Sequence, residues 1–237
     1  MTDTAIILCG GQGTRFRAVN PDIPKSLAPV EKKPFIGLLI DKLVLTGISK
    51  IVLSTGHMSE KIERYISSRS DANFIFSREN QPLGTGGALL EAINFCDNSE
   101  ILIINGDSFV DADLSEFLIH HRALNSQFSI LGSSSRAHKT QFNMHVKNNH
   151  LVASFGQIND NSNNLMSAGI YITSPFFLKN FRPMGNSLEN DFFPTWAHCK
   201  HLYAKEIKST VFDIGSPVGY NTFMSYFENN KKAYGCL

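Results

Sequence analysis

Arg15 and Lys25 are the cations this chain places for chemistry, and the glycines ahead of them say which chemistry. The run Ile6-Ile7-Leu8-Cys9-Gly10-Gly11-Gln12-Gly13-Thr14-Arg15 carries an apolar strand into a glycine-rich loop that ends at an arginine, and Pro24-Lys25-Ser26 follows. Glycines let backbone N–H groups approach phosphate oxygens without a Cβ in the way. Two cations beside such amides suit a polyphosphate. The stretch therefore reads as a nucleoside triphosphate site. Other glycine loops fail on spacing. A G-x-G-x-x-G begun at Gly11 needs glycine where Phe16 stands, and G-x-x-x-x-G-K-[ST] is absent. The plain alternative, a strand-to-helix turn without a ligand, is disfavoured by Thr14, Arg15 and Lys25 together.

Two carboxylates complete the chemistry. Asp107 follows the apolar run Ile101–Ile104 as Asn105-Gly106-Asp107, and Asp213 lies in Phe212-Asp213-Ile214-Gly215-Ser216-Pro217. Each ends a predicted strand. Magnesium sites that serve phosphates use one or two carboxylates plus the substrate oxygens. Singly, Gly-Asp and Asp-Ile-Gly are ordinary turn chemistry; beside a phosphate loop they read as metal ligands. A third feature is Gln81-Pro82-Leu83-Gly84-Thr85-Gly86-Gly87-Ala88. Its glycines let the chain pass closely over a flat base, with Gln81 and Thr85 offering hydrogen bonds to base edges. The plainer reading there is a helix N-terminus with a flexible lead-in. His120-His121 closes a predicted helix, Leu114–Leu124, with no H-E-x-x-H and no carboxylate at metal-ligand spacing. It reads as a solvated or capping pair. Trp196 and the phenylalanines read as core.

The elements that must position these groups alternate. Thr4–Leu8, Lys50–Thr55, Asn73–Ser77 and Glu100–Asn105 read as strands. Pro34–Leu45, Met58–Ser67 and Gly84–Phe95 read as the helices between them, the first stopped by Gly47. This rhythm predicts a parallel sheet with helices on both faces, in which ligands sit beyond the carboxyl ends of the strands. The second half changes. Gln127–Gly132, Phe142–Lys147, Leu151–Phe155 and Ala168–Thr173 read as strands joined by polar turns. Asn148-Asn149-His150 reads as a hairpin turn and Asp160–Asn164 as a polar loop. Leu188–Ala197 reads as a helix and Val211–Asp213 as a last strand. The expectation is one α/β domain over residues 1–237, with an antiparallel addition built mainly from residues 127–175.

Composition bounds the function. The 237 residues are 42% hydrophobic, enough for a sizeable core, and carry a net charge of +1. No basic excess exists to release counterions from a nucleic acid. The four cysteines, Cys9, Cys96, Cys199 and Cys236, are scattered without a C-x-x-C, as in a reducing cytoplasm. The start shows no signal-peptide pattern and no apolar run spans a bilayer. A cytoplasmic protein with no nucleic-acid or membrane partner is expected, as a monomer or homodimer.

The motifs in their order point to a family. Leu8–Arg15 with Pro24-Lys25, Pro82–Ala88, Asn105-Gly106-Asp107, Ala168-Gly169-Ile170-Tyr171, Leu188-Glu189-Asn190-Asp191-Phe192-Phe193-Pro194 and Asp213–Pro217 resemble the sugar-1-phosphate nucleotidyltransferases. Within them the chain is most similar to bacterial D-glycero-α-D-manno-heptose 1-phosphate guanylyltransferases. Mannose-1-phosphate guanylyltransferases and muramate-phosphate uridylyltransferases are neighbours. The resemblance implies a Rossmann-like three-layer nucleotidyltransferase fold with a mainly parallel mixed sheet. It implies a nucleotide-binding half of about residues 1–126 and a sugar-binding half of about 127–237.

The implied reaction joins a nucleoside triphosphate, GTP above others, to a sugar 1-phosphate and releases pyrophosphate. Its product serves surface polysaccharide synthesis. The resemblance implies that Arg15, Lys25 and Asp107 are catalytic. Leu8, Gly10, Gly11, Gly13, Thr14, Gln81, Gly86 and Asp107 would line the nucleotide, Gly169 and Glu189 the sugar, and Asp107 and Asp213 would hold Mg²⁺. Three positions depart from the family pattern. The run Phe155-Gly156-Gln157-Ile158 lacks the lysine of a Phe-x-Glu-Lys pattern that meets the sugar phosphate, Ser167 replaces an asparagine, and Gly219 replaces an acid before Tyr220. The altered sugar half admits two alternatives: a catalytically silent nucleotide-sensing subunit, or a uridylyl-, thymidylyl- or cytidylyltransferase for another sugar or non-sugar phosphate.

Overall fold

The computed structural model describes residues 2–17, 21–97, 99–135, 143–156 and 164–230. β1 (Thr4–Leu8) leads through the glycine loop into one helical turn, α1 (Thr14–Arg17). A 3-10 turn at Lys25–Leu27 and a short antiparallel pair, β2 (Pro29–Val30) and β3 (Lys33–Pro34), follow. α2 (Phe35–Leu45) begins directly after Pro34, held extended at φ −75°. It stops at Gly47, whose φ of +91° lets the amides of Gly47 and Ile48 reach the carbonyls of Val44 and Leu43. β4 (Lys50–Thr55), α3 (Ser59–Ile66), β5 (Asn73–Arg78) and α4 (Gly84–Ala92) continue the alternation, α4 running on as a 3-10 turn at Ile93–Phe95. β6 (Ile101–Asn105), β7 (Ser108–Val110) and α5 (Leu114–Ala123) close this half. Asp113 caps α5, accepting from the amides of Ser115 and Glu116 at 2.8 and 3.1 Å.

The second half contains β8 (Phe128–Ser133), β9 (Asn143–Val146), β10 (Val152–Gly156), β11 (Asn164–Thr173) and α6 (Pro175–Asn180). A π turn at Leu188–Phe192 runs into α7 (Phe193–His198). β12 (Leu202–Ile207), β13 (Val211–Asp213) and α8 (Pro217–Asn229) end the described chain.

Strands β5, β4, β1 and β6 lie side by side in parallel, with Leu8 level with Ser54 and Asn105. Among the described residues the main sheet has nine strands. It is buried on both faces, as its near-continuous apolar strands require. Ala5, Ile7, Ile51, Leu53, Leu102 and Ile104 face one core with residues of α2, α3, α5 and α8. Ile6, Val52, Ile101 and Ile103 face the other with α4, α6 and α7. Successive side chains of a strand point to opposite faces, so one sheet serves two cores. Each fully buried Ile or Phe contributes about 1.5–3 kcal/mol. Trp196 is core, as expected, its indole N–H donating to the Phe181 carbonyl at 2.8 Å.

β11 is the antiparallel element that ties the halves. Its later half pairs with β6 (Ile170 opposite Ile104), its first residues with β9, and both ends with β8. Between Ser167 and Tyr171 the register on β8 shifts, at Gly169, whose φ is +70°. The strand begins at Asn164, four residues before the expected Ala168, because β9 extends the ladder. Residues 160–163 of the expected polar loop lie outside the described residues, as do Phe142, Gln157 and Cys236. The hairpin turn at residues 148–150 forms as expected, with His150 at φ +65°.

Two expectations are corrected, and one strand is added. Leu188–Ala197 is not one helix: Pro194 cannot donate into an i→i−4 ladder, and a π turn precedes α7. β12 is a strand the sequence reading did not assign, and it lies parallel to β8 rather than antiparallel. His121 is neither solvated nor a cap. It is 4% exposed, with Nδ1 between the hydroxyls of Ser129 and Ser126 at 2.8 and 2.9 Å.

His121 makes a pH prediction. Burial lowers its pKa from 6.5 to about 4, so the folded protein keeps the ring neutral where the unfolded chain takes up a proton. Its contribution to stability is complete above about pH 6.5 and is lost as pH falls to about 4. The loss over that window is expected to reach about 3 kcal/mol, at about 1.4 kcal/mol per unit. Urea melts of wild type and His121→Asn between pH 7 and 4 check it: the variant should lack this slope.

Candidate active site

The site is built where β4, β1 and β6 end together. The Gly106 amide donates to the Leu8 carbonyl at 2.8 Å, and a Cβ on Gly106 would lie 2.9 Å from both the Leu8 carbonyl oxygen and the Cys9 Cβ. Only glycine lets the two strand ends cross so closely. Gly10 is similarly tight. Its Cβ would meet Glu79 Oε1 at 2.3 Å and the Gly56 amide at 3.2 Å. Gly11 has nothing within 4 Å on its Cβ side, so one face of the loop is open. Gly13 turns at φ +56° over the Lys25 side chain, 3.5 Å away, and Thr14 starts α1.

Lys25 stands in its 3-10 turn behind extended Pro24. Its ammonium pairs with the Asp107 carboxylate, both side chains about one-fifth exposed, at 22% and 21%. Burial pulls the Lys25 pKa down, but Asp107, and beyond it Asp213, outweigh burial and hold it above the ordinary lysine value. Lys25 thus stays charged in a desolvated place.

The Asp213 carboxylate arrives through β-pairing: Asp213 lies opposite Ser108, and the Ile214 amide donates to the Asp107 carbonyl at 2.9 Å. Burial, then the neighbouring Asp107, push the Asp213 pKa up, while Lys25 and Arg15 pull against them. The Gly215 amide donates to Asp213 Oδ1 at 2.6 Å. A Cβ on Gly215 would lie 2.7 Å from Asp213 Oδ1 and 3.6 Å from Asp107 Oδ2. Two hard carboxylates meeting over a glycine fit a magnesium ion that takes its other ligands from phosphates. Among the described residues no group of three His, Cys, Asp or Glu suits a metal. Arg15, exposed on α1, is close enough to act electrostatically on both Lys25 and Asp213.

A second wall faces this one. Gly169 has Ser108 Cβ and Asn105 Cβ where a side chain would go, at 2.9 and 3.2 Å. The buried Tyr171 hydroxyl accepts from Asn105 at 3.4 Å, and its pKa is raised by burial and then by Glu189. Glu189 Oε2 accepts from the Thr85 hydroxyl at 2.8 Å. Thr85 is therefore committed to the sugar-side segment, where the sequence reading offered it to a base. Gly86 is also packed, its Cβ position 2.9 Å from the Phe192 ring. The Gly84–Gly87 glycines form a helix N-terminus against residues 186–192, the plainer of the two readings. Gln81 is exposed in the turn before α4.

The structure brings Arg15, Lys25, Asp107 and Asp213 into one electrostatic cluster, packs Gly169 against Asn105 and Ser108 beside it, and sets Glu189 near Tyr171. Gln157 and Ile158, where the family pattern has its Glu-Lys pair, lie outside the described residues. Ser167 accepts from the Gly169 amide at 3.3 Å. Gly219 has a local reason: a Cβ there would lie 1.9 Å from the Asp213 carbonyl oxygen, so an acid has no room. Sequence reasoning missed Glu79. Its Oε2 accepts from the Leu83 amide at 3.0 Å, while Oε1 lies against Gly10. A carboxylate ending β5 was the available signal.

Residues 4–231 match the model of the nucleotidyl transferase family. The chain is 30% identical over 223 residues to D-glycero-alpha-D-manno-heptose 1-phosphate guanylyltransferase of Campylobacter jejuni, covering 93% of this chain and 98% of that protein. It is 30% identical over 218 residues to the enzyme of the same name from Aneurinibacillus thermoaerophilus, covering 91% and 94%. The crystal structure of HddC from Yersinia pseudotuberculosis complexed with GMP-PN superposes with a TM-score of 0.82 at 28% identity, over 95% of this chain and all of that one.

Proposed function

We propose that this chain, which belongs to the nucleotidyl transferase family, is a sugar-1-phosphate guanylyltransferase that joins GTP to D-glycero-α-D-manno-heptose 1-phosphate and releases pyrophosphate. The observation that carries the reading is the convergence of Lys25, Arg15, Asp107 and Asp213 at the end of β1 and β6. The whole chain acts as one domain in which residues from about 127 onward form the sugar side.

The sugar phosphate oxygen attacks the α-phosphorus in line with the leaving pyrophosphate. No general base is needed, because a phosphate monoester with a second pKa of about 6 is largely dianionic at neutral pH. Catalysis is then positioning and charge stabilisation. Arg15 holds the β- and γ-phosphates. Lys25 lies between the α-phosphate and the incoming phosphate, and Asp107 keeps it charged. Gly10, Gly11, Gly13 and Thr14 supply main-chain amides. Asp107 and Asp213 are the residues to hold Mg²⁺, which supplies positive charge to the phosphate oxygens. Gly169 and Glu189 face the sugar, and Leu8 and Gln81 line the base and ribose. The product feeds cell-surface polysaccharide synthesis from the cytoplasm.

Glu79, whose Oε1 lies against Gly10 of the glycine loop, is the residue that supports guanine as the base. Guanine offers N1–H and the N2 amino group as adjacent donors, which a carboxylate accepts together. Uracil and thymine offer one N–H between two carbonyls, which a carboxylate repels. Glu79→Gln is expected to weaken GTP binding about 10-fold or more, with UTP binding unchanged or improved. Calorimetric titration with both nucleotides checks it; equal affinities in wild type remove Glu79 from base reading.

The reaction itself is tested by pyrophosphate release with GTP, Mg²⁺ and the heptose phosphate, against mannose 1-phosphate and the other triphosphates. GTP binding without release from any sugar phosphate would favour the silent sensing subunit.

A further inference from the structure

The first turn of α4 grips the segment 186–191 through bonds that the reaction does not use. The amides of Gly86 and Gly87 donate to the Asn186 carbonyl at 2.7 and 3.4 Å. The Thr85 hydroxyl accepts from the Leu188 amide at 2.8 Å and donates to Glu189 Oε2 at 2.8 Å. A hydroxyl carries one hydrogen, and the carboxylate is its acceptor, so the bond has one direction. The Ser187 hydroxyl donates to the same oxygen at 3.2 Å. Both side-chain donors fall on Oε2, which leaves Oε1 for a ligand. The backbone beneath is also fixed: Asp191 Oδ2 accepts from the amides of Asn186 and Ser187, each at 2.8 Å.

We propose that Thr85 is a positioning residue: it locks the Glu189 carboxylate from the N-terminus of α4, so that the nucleotide half sets the geometry of the sugar subsite. This rests on the reading of Glu189 as a sugar contact. A Glu rotamer held through one oxygen presents its second oxygen in one place, and losing the shorter of its two bonds, the one from Thr85, restores rotamer freedom that sugar binding must then remove. Nucleotide contacts made through the glycine loop and Glu79 do not depend on it.

The test is steady-state kinetics on the full chain with GTP and D-glycero-α-D-manno-heptose 1-phosphate, for wild type, Thr85→Val, Thr85→Ser and Glu189→Gln, with thermal melts. Thr85→Val is expected to raise KM for the sugar phosphate about 10-fold and to leave KM for GTP within about twofold. Thr85→Ser should restore wild-type values. In the Glu189→Gln background, Thr85→Val should add less than about twofold, because coupled residues are not additive. Should Thr85→Val fail to fold, Thr85→Cys, a weaker donor of similar size, takes its place with the same direction expected. An unchanged sugar KM, an equal rise in both KM values, or full additivity with Glu189→Gln overturns the proposal alone. A wild-type enzyme that turns over no sugar 1-phosphate with GTP overturns it together with the proposed function.

Discussion

Lys25→Ala is expected to lower kcat about 100- to 1000-fold and to raise the dissociation constant for GTP less than about 10-fold. The difference follows from where the charge acts. In the proposed reaction Lys25 would lie between two phosphates whose negative charge is forced together only as the new bond forms, so its cation would be worth most in the transition state. Arg15 remains in the variant to hold the ground-state polyphosphate, and so do the loop amides. The structure sharpens the expectation, because Lys25 is largely desolvated and held by Asp107, and an ammonium away from water interacts more strongly than one in it. Kinetics beside calorimetric GTP titration decide the matter. Equal losses in turnover and affinity would reassign Lys25 to uniform nucleotide binding.

Asp107→Asn should be more severe. Asp107 is the Lys25 partner and the neighbour of Asp213, so on the proposed reading one substitution removes a metal ligand and half of an ion pair. Loss of metal-assisted charge stabilisation is worth several kcal/mol, or roughly 1000-fold or more in rate at about 1.4 kcal/mol per tenfold. Activity should fall to background at any Mg²⁺ concentration. The melting temperature should fall as well, since the substitution leaves the largely desolvated Lys25 ammonium without its partner. A metal titration followed by pyrophosphate release checks this, and an Asp107→Asn enzyme with wild-type Mg²⁺ dependence takes Asp107 out of the metal site.

Much of the architecture was legible because it is local. The strand at Lys50–Thr55 and the short strand at Val211–Asp213 fall where their apolar runs and flanking turns put them. Pro34 and Gly47 bound α2 for steric reasons that hold in any fold. The second half was less legible. β12, of mixed polarity, becomes a strand because β8 offers it an edge, and the early start of β11 depends on β9. Such pairings are non-local, and a short segment does not encode its partner.

The candidate site divides the same way. The residue types and their order along the chain pointed to a phosphate loop, two cations and two acids, since glycine's missing Cβ and the fixed charges of Arg, Lys and Asp are properties of single residues. Tertiary structure alone decided that Asp213 meets Asp107, because a β7–β13 pairing joins segments about a hundred positions apart. It alone decided that Thr85 serves Glu189, and that Glu79 lies against Gly10. Distance in space, with the burial and electrostatics that follow from it, is set by packing, and no spacing along the chain states it.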